Sequence, residues 1–113
     1  PIMAIHNFNY TYEFVNCETT FKSGTDTTAI VAQVTVNITA VDQADDTKTI
    51  TTQETRALNY GLLQSQALPD SFIPVSELTN DQMINWFKAG VSTTDLNGFY
   101  TWQLYGYAEM DGT

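Results

Sequence analysis

The chain has 113 residues, with 13 acidic side chains against four lysines and arginines and a formal net charge of −9; that is the size of one domain, 1–113. So few cations cannot neutralise a run of phosphates, and direct nucleic-acid binding is not expected. One cysteine and one histidine exclude an internal disulfide framework and a four-ligand structural zinc site.

The first strand signal is Phe8 to Phe14. Aromatics fall at Phe8, Tyr10, Tyr12 and Phe14 with polar residues between, the period of a strand with one aromatic face. Lys22-Ser23-Gly24-Thr25-Asp26 supplies turn residues. Ile30 to Val41 is the clearest strand. Ile30, Ala32, Val34, Val36, Ile38 and Ala40 share one face, and Gln33, Thr35, Asn37 and Thr39 share the other, with Val31 and Val41 as apolar exceptions near the ends. The polar face is expected to be solvated or to meet a partner. Asp42 to Asp46 is a polar break of hairpin length, and the Thr-rich run Thr47 to Leu58 reads as the returning antiparallel strand. After Tyr60-Gly61, residues 62–68 fit either a further strand or a helical turn. Pro69 and Pro74 bracket an extended connector, because the residue before a proline avoids the helical region.

Thr79 then offers a helix N-cap, and Gln82 stands at the capping-box spacing. Leu78 and Met83 are placed for the hydrophobic staple. Met83, Ile84, Phe87 and Val91, flanked by Trp86, form an apolar stripe that Gly90 is placed to end. The stripe reads as core, not as a cofactor box. In the tail, Phe99, Tyr100, Trp102, Tyr105 and Tyr107 suit a strand by residue type. Leu96, Phe99, Tyr100, Leu104 and Tyr107 also share a helical face, with Asp95 near its start. Helix is favoured, with strand as the alternative. The fold class expected is α+β: a small antiparallel β-sheet or sandwich (residues ~5–68) packed with a C-terminal helix (~79–90) and a second helix or strand (~95–110).

Chemistry is sparse. A hydrolase triad needs a nucleophile, a base and an orienting acid that converge, and His6, the sole imidazole, lies near the start of the chain. Cys17 sits among strand-like residues and reads as a buried thiol. Glu13 with Glu18, or Asp45 with Asp46, could be imagined as paired carboxylates, but solvated turn or strand-edge residues explain them better. Asp42, Asp45 and Asp46 could chelate a cation only weakly, since the calcium-loop spacing is absent. The glycines are dispersed, so no phosphate-cradling loop forms. No apolar run approaches the roughly 20 residues of a membrane span, and no secretory leader is visible. The chain is therefore expected to be intracellular when made, with Pro1 as its start after removal of an initiator Met. On that expectation the sequons at Asn9 and Asn37 carry no glycan. No catalytic residue, metal or cofactor is expected, and no membrane partner. Contact surfaces remain: Gln33, Thr35, Asn37 and Thr39 on the central strand, and Trp102, Tyr105 and Tyr107 in the aromatic tail, since Trp and Tyr dominate interface energetics. The competing reading places those aromatics in the core.

Several segments, in order, carry a resemblance. They are Met3-Ala4-Ile5; the aromatic strand ending at Val15-Asn16-Cys17; Gly24-Thr25-Asp26 leading to Val34 and Val36; Tyr60-Gly61 before Gln64-Ser65-Gln66; and Phe72-Ile73-Pro74 leading to Leu78-Thr79, Gln82 and Trp86. Over about residues 3 to 91 the chain resembles a family of small uncharacterised proteins of tailed bacteriophages infecting marine bacteria. Its members continue with a charged amphipathic helix, where residues 92–113 here are aromatic and glycine-containing. The family has no established catalytic residues, so none carries over. The resemblance implies a phage product made in the host cytoplasm and carried in the virion. An auxiliary protein that decorates or cements the capsid is favoured. A tail-associated protein comes next, and a soluble effector that binds a host protein is the competing class. The partners expected are phage capsid or tail proteins, with a homo-oligomer as a further possibility.

Overall fold

The computed structural model describes residues 4–21, 28–59, 67–68, 70 and 72–106. They contain three strands, β1 (Phe8–Phe21), β2 (Ala29–Asp42) and β3 (Thr49–Ala57), followed by two helices, α1 (Asn80–Ala89) and α2 (Thr93–Tyr105). The strands form one antiparallel sheet in the order β1-β2-β3, so the fold is α+β. Among the described residues the last strand ends at Ala57, and the three strands form a single sheet. The turn expected at 22–26 lies outside the described residues. So does the segment expected at 62–68, apart from Ala67 and Leu68, which are in neither helix nor strand.

The alternation read in β2 is real. Ile30, Val34, Val36, Ile38 and Ala40 are buried on one face, with Ala32 half-buried among them. Register with β3 follows from paired partners. The Asp42 N–H donates to the Lys48 carbonyl at 3.0 Å. The hydroxyls of Thr39 and Thr51 meet at 2.8 Å, those of Thr35 and Thr55 at 2.7 Å, and the Leu58 N–H reaches the Ala32 carbonyl at 2.9 Å. Each step back along β2 is matched by an equal step forward along β3, as an antiparallel ladder requires. The connecting turn is built by Asp45, whose carboxylate accepts from the Thr47 N–H at 3.1 Å and the Thr47 hydroxyl at 2.6 Å. Those bonds hold its carboxyl below the usual carboxylate range.

Contacts group the chain into two compact units: residues 1–12, 38–52 and 90–113 in the first, residues 13–37 and 53–89 in the second. In the first unit α2 is a helix, as favoured, and its buried side overlaps the expected one but is rotated: Tyr100 is buried and Leu96 and Leu104 are half-buried, while Tyr107 lies outside the described residues. Asn97, Tyr100 and Thr101 are buried, whereas Phe99 is 38% and Trp102 is 52% exposed. The polar groups explain the rotation. The Tyr100 hydroxyl meets that of Thr52 at 2.7 Å, the Tyr10 hydroxyl donates to Asn97 Oδ1 at 2.6 Å, and Asn97 Nδ2 donates to Asn7 Oδ1 at 3.2 Å. The Tyr100 ring also meets Phe8 edge-on at 6.2 Å between centroids. Ser92 caps the helix by accepting the Asp95 N–H at 3.3 Å. Gly106 ends it with a left-handed φ of 83°, its N–H on the Trp102 carbonyl at 2.9 Å.

In the second unit α1 carries the capping box read from sequence. The Gln82 N–H donates to the Thr79 hydroxyl at 3.2 Å, and the Thr79 N–H donates to Gln82 Oε1 at 2.9 Å. Met83 and Phe87 are its buried residues, and Gly90 follows its end. A single 3-10 turn, Val75–Glu77, precedes it. On β2, Val31 and Thr35 are buried on the face opposite Ile30 and Val34, while Gln33 between them is exposed. Asn59 leaves β3 with a positive φ of 58° and donates its side-chain amide to the Val31 carbonyl at 2.8 Å, a conformation Asn tolerates better than most residues.

Two substitutions separate these contributions. Ile38→Ala should cost about 2–5 kcal/mol by leaving a cavity, and Thr79→Ala about 1 kcal/mol by removing the cap. Urea unfolding of both variants measures the contrast, and equal losses would contradict it.

Candidate functional site

The first constellation is a clamp in the first unit, built where three segments meet. Asp42 ends β2 on the same face as Ile38 and Ala40, and its side chain is 1% exposed. The segment before β1 delivers His6, whose Nδ1 lies 2.6 Å from Asp42 Oδ2. The last turn of α2 delivers Tyr105, whose hydroxyl donates to the same oxygen at 2.5 Å. The other carboxylate oxygen accepts the Ala44 N–H at 2.8 Å. The rings of His6 and Tyr105 stack at 4.2 Å with 19° between planes, and the His6 backbone N–H donates to the Thr101 hydroxyl at 2.9 Å.

Burial opposes ionisation of Asp42. The hydrogen bonds from Tyr105, Ala44 and His6, with the charge of a protonated His6, outweigh it and hold the carboxyl below the usual carboxylate range. A carboxylate that orients an imidazole is also two-thirds of a hydrolytic triad. The recess beside it, about 390 Å³, is lined by Ala4, Ile5, His6, Asn7, Asp42, Gln43 and Ala44, which bring no hydroxyl or thiol. Among the described residues no cluster of His, Cys, Asp or Glu is placed to hold a metal ion, and no helix is long and apolar enough to cross a membrane.

Sequence reasoning set His6 aside for its place near the start and read Asp42 only as a weak chelator. One signal was available. Asp42 continues the even-numbered apolar face of β2, so it had to be buried and supplied with donors. Its partners, 36 and 63 residues away in sequence, left no local trace.

The second constellation is the other face of the sheet. Gln33 is exposed, Asn37 and Thr39 are half-buried, and Thr35 is buried. Thr35 and Thr39 pair with Thr55 and Thr51 of β3 as described above. Asn37 Nδ2 reaches Glu13 Oε1 at 3.5 Å and Gln43 Nε2 donates to Asn9 Oδ1 at 3.0 Å, both on the β1 side. Of the tail residues singled out, Trp102 is exposed, Tyr105 is half-buried in the clamp, and Tyr107 lies outside the described residues.

Residues 7–99 match the model of DUF7936, a domain of unknown function. The chain belongs to this family. The DUF7936 match takes in the three strands, α1 and the first half of α2. Of the clamp it includes Asp42 and Ala44 but not His6, Thr101 or Tyr105. No curated protein and no solved structure matches the chain.

The clamp has a defined pH signature. Asp42 has its folded value depressed from 3.8, so the stability it contributes is present above that pH and is lost as the pH falls through the lower folded value. Tyr105→Phe should destabilise by about 1.5–3 kcal/mol near neutrality, as expected for a hydrogen bond to a charged group, and its deficit should shrink in strong acid. Unfolding midpoints of wild type and variant across an acid pH series test this; parallel curves would remove Asp42 as the cause.

Proposed function

We propose that this chain is a non-enzymatic virion structural protein of a tailed bacteriophage, an auxiliary protein that decorates or cements the capsid. The observation that carries this reading is the polar face of the sheet. It offers a partner Gln33, Asn37 and Thr39 with the facing Thr51, Gln53 and Thr55: hydroxyls and amides on regular strands, with Glu13 at its β1 side. A neutral surface of hydroxyls and amides, with its threonines already paired across strands, suits contact with another folded protein. The net charge of −9 keeps free copies apart and away from nucleic acid before assembly. Repetition on a shell allows each contact to be modest, since many act together. The resemblance to tailed-phage proteins supplies the setting.

Quantitative mass spectrometry of gradient-purified particles tests the proposal. A copy number near that of the major capsid protein, or a simple fraction of it, is the expected result. A few dozen copies or fewer would move the protein to the tail, and absence from particles despite expression would leave the soluble effector that binds a host protein. At the level of the surface, Gln33→Arg combined with Gln53→Arg should leave stability within about 0.5 kcal/mol per site while sharply reducing the copies retained on particles. Full retention would exclude this face as the contact.

A further inference from the structure

Of the eight asparagines in the chain, only Asn97 is followed by glycine. A glycine leaves the next backbone nitrogen unhindered and its dihedrals free, so in an open chain that nitrogen can reach the asparagine side chain. The Gly98 nitrogen, its proton passed to hydroxide, bonds to Asn97 Cγ. The Cγ–Nδ2 bond breaks, and the nitrogen leaves as ammonia after taking a proton from water. Water then opens the five-membered imide at either of its two carbonyls, leaving aspartate or isoaspartate at position 97.

The fold closes this route. Asn97 is buried, its Oδ1 accepts from the Tyr10 hydroxyl at 2.6 Å, and its Nδ2 donates to Asn7 Oδ1 at 3.2 Å. Both ends of the amide are thus tied to β1 and the segment before it. Gly98 lies inside α2, where the helical ladder directs its N–H to the carbonyl four residues back. Attack therefore needs α2 both undocked and unwound. The same glycine weakens the helix, since Gly in a helix interior is disfavoured against Ala, and so short a helix is marginal alone. Docking keeps α2 in shape, through Asn97, through Thr101 and Tyr100, and through the Tyr105 bond to Asp42.

We propose that Asn97 is the chain's site of spontaneous deamidation, shielded while α2 is docked and reactive once it opens, so that the reaction makes opening irreversible. Isoaspartate routes the main chain through the former side-chain carbon, and the added methylene breaks the ladder in the middle of α2. Aspartate keeps the main chain but replaces a donor with an acceptor. Asn7 can turn its own amide to meet that oxygen, yet a charge then stands where a neutral amide was buried. Either product makes the original docking unfavourable. This inference does not depend on the proposed function.

Peptide mapping by mass spectrometry of the full chain, held in mildly alkaline buffer with and without urea, tests it. In urea, Asn97 should be the first asparagine to gain the mass of deamidation, and Gly98→Ala should slow that gain sharply. In native buffer the wild type should react at Asn97 at least about tenfold more slowly, because reaction waits on opening. Tyr105→Phe, which removes one docking bond, should recover part of the difference. If that variant fails to fold, the wild-type comparison with and without urea decides alone. Chains deamidated in urea and returned to native buffer should unfold at lower urea than freshly refolded ones. Equal rates at Asn97 in native buffer and in urea would overturn the inference. So would another asparagine reacting first in urea, or a modified chain as stable as the unmodified one.

Discussion

The helix α2 can dock in only one way because the face it buries is polar. Asn97, Tyr100 and Thr101 point inward, and each finds a partner: Tyr10 and Asn7 for Asn97, Thr52 for Tyr100, the His6 backbone for Thr101. Among the described residues no buried side-chain nitrogen or oxygen lacks a hydrogen bond. A greasy helix can slide or rotate at modest cost. Here rotation by one residue would strand several donors and acceptors, each worth about 1–3 kcal/mol when left unsatisfied. The clamp extends the same logic to the end of the helix, where Tyr105 and His6 share one oxygen of Asp42.

That arrangement also explains which parts of the fold were legible. β2 could be read because its burial follows side-chain hydrophobicity at period 2, and α1 because its cap and its apolar stripe agree. In α2 hydrophobicity and burial agree only in part. Tyr100 is buried and Leu96 and Leu104 are half-buried, but Phe99 and Trp102 face outward while Asn97 and Thr101 face inward, so the apolar pattern marks the helix and places its buried side only approximately. Ser92, three residues before Asp95, is a usable start signal that the aromatic pattern does not point to. In the site, the burial of Asp42 followed from strand parity, but its partners depended on packing between segments far apart in sequence. The Thr-Thr pairs needed the hairpin register, which the six residues from Gln43 to Lys48 fix and composition alone does not.

The two surfaces differ in kind. The polar sheet face carries cross-strand bonds from Thr35, Thr39, Asn37 and Gln43. The outward side of α2 presents Phe99 and Trp102, three residues apart and therefore on one side of the helix.

The paired threonines have one more property. In the Thr35–Thr55 and Thr39–Thr51 pairs either hydroxyl can be the donor, because each O–H rotates about its C–O bond. Reversing a pair moves no heavy atom, yet it exchanges which hydroxyl donates and which oxygen accepts. Each pair is thus fixed in shape and undecided in polarity: the ladder sets where the two oxygens lie, and the direction of the proton between them is left free.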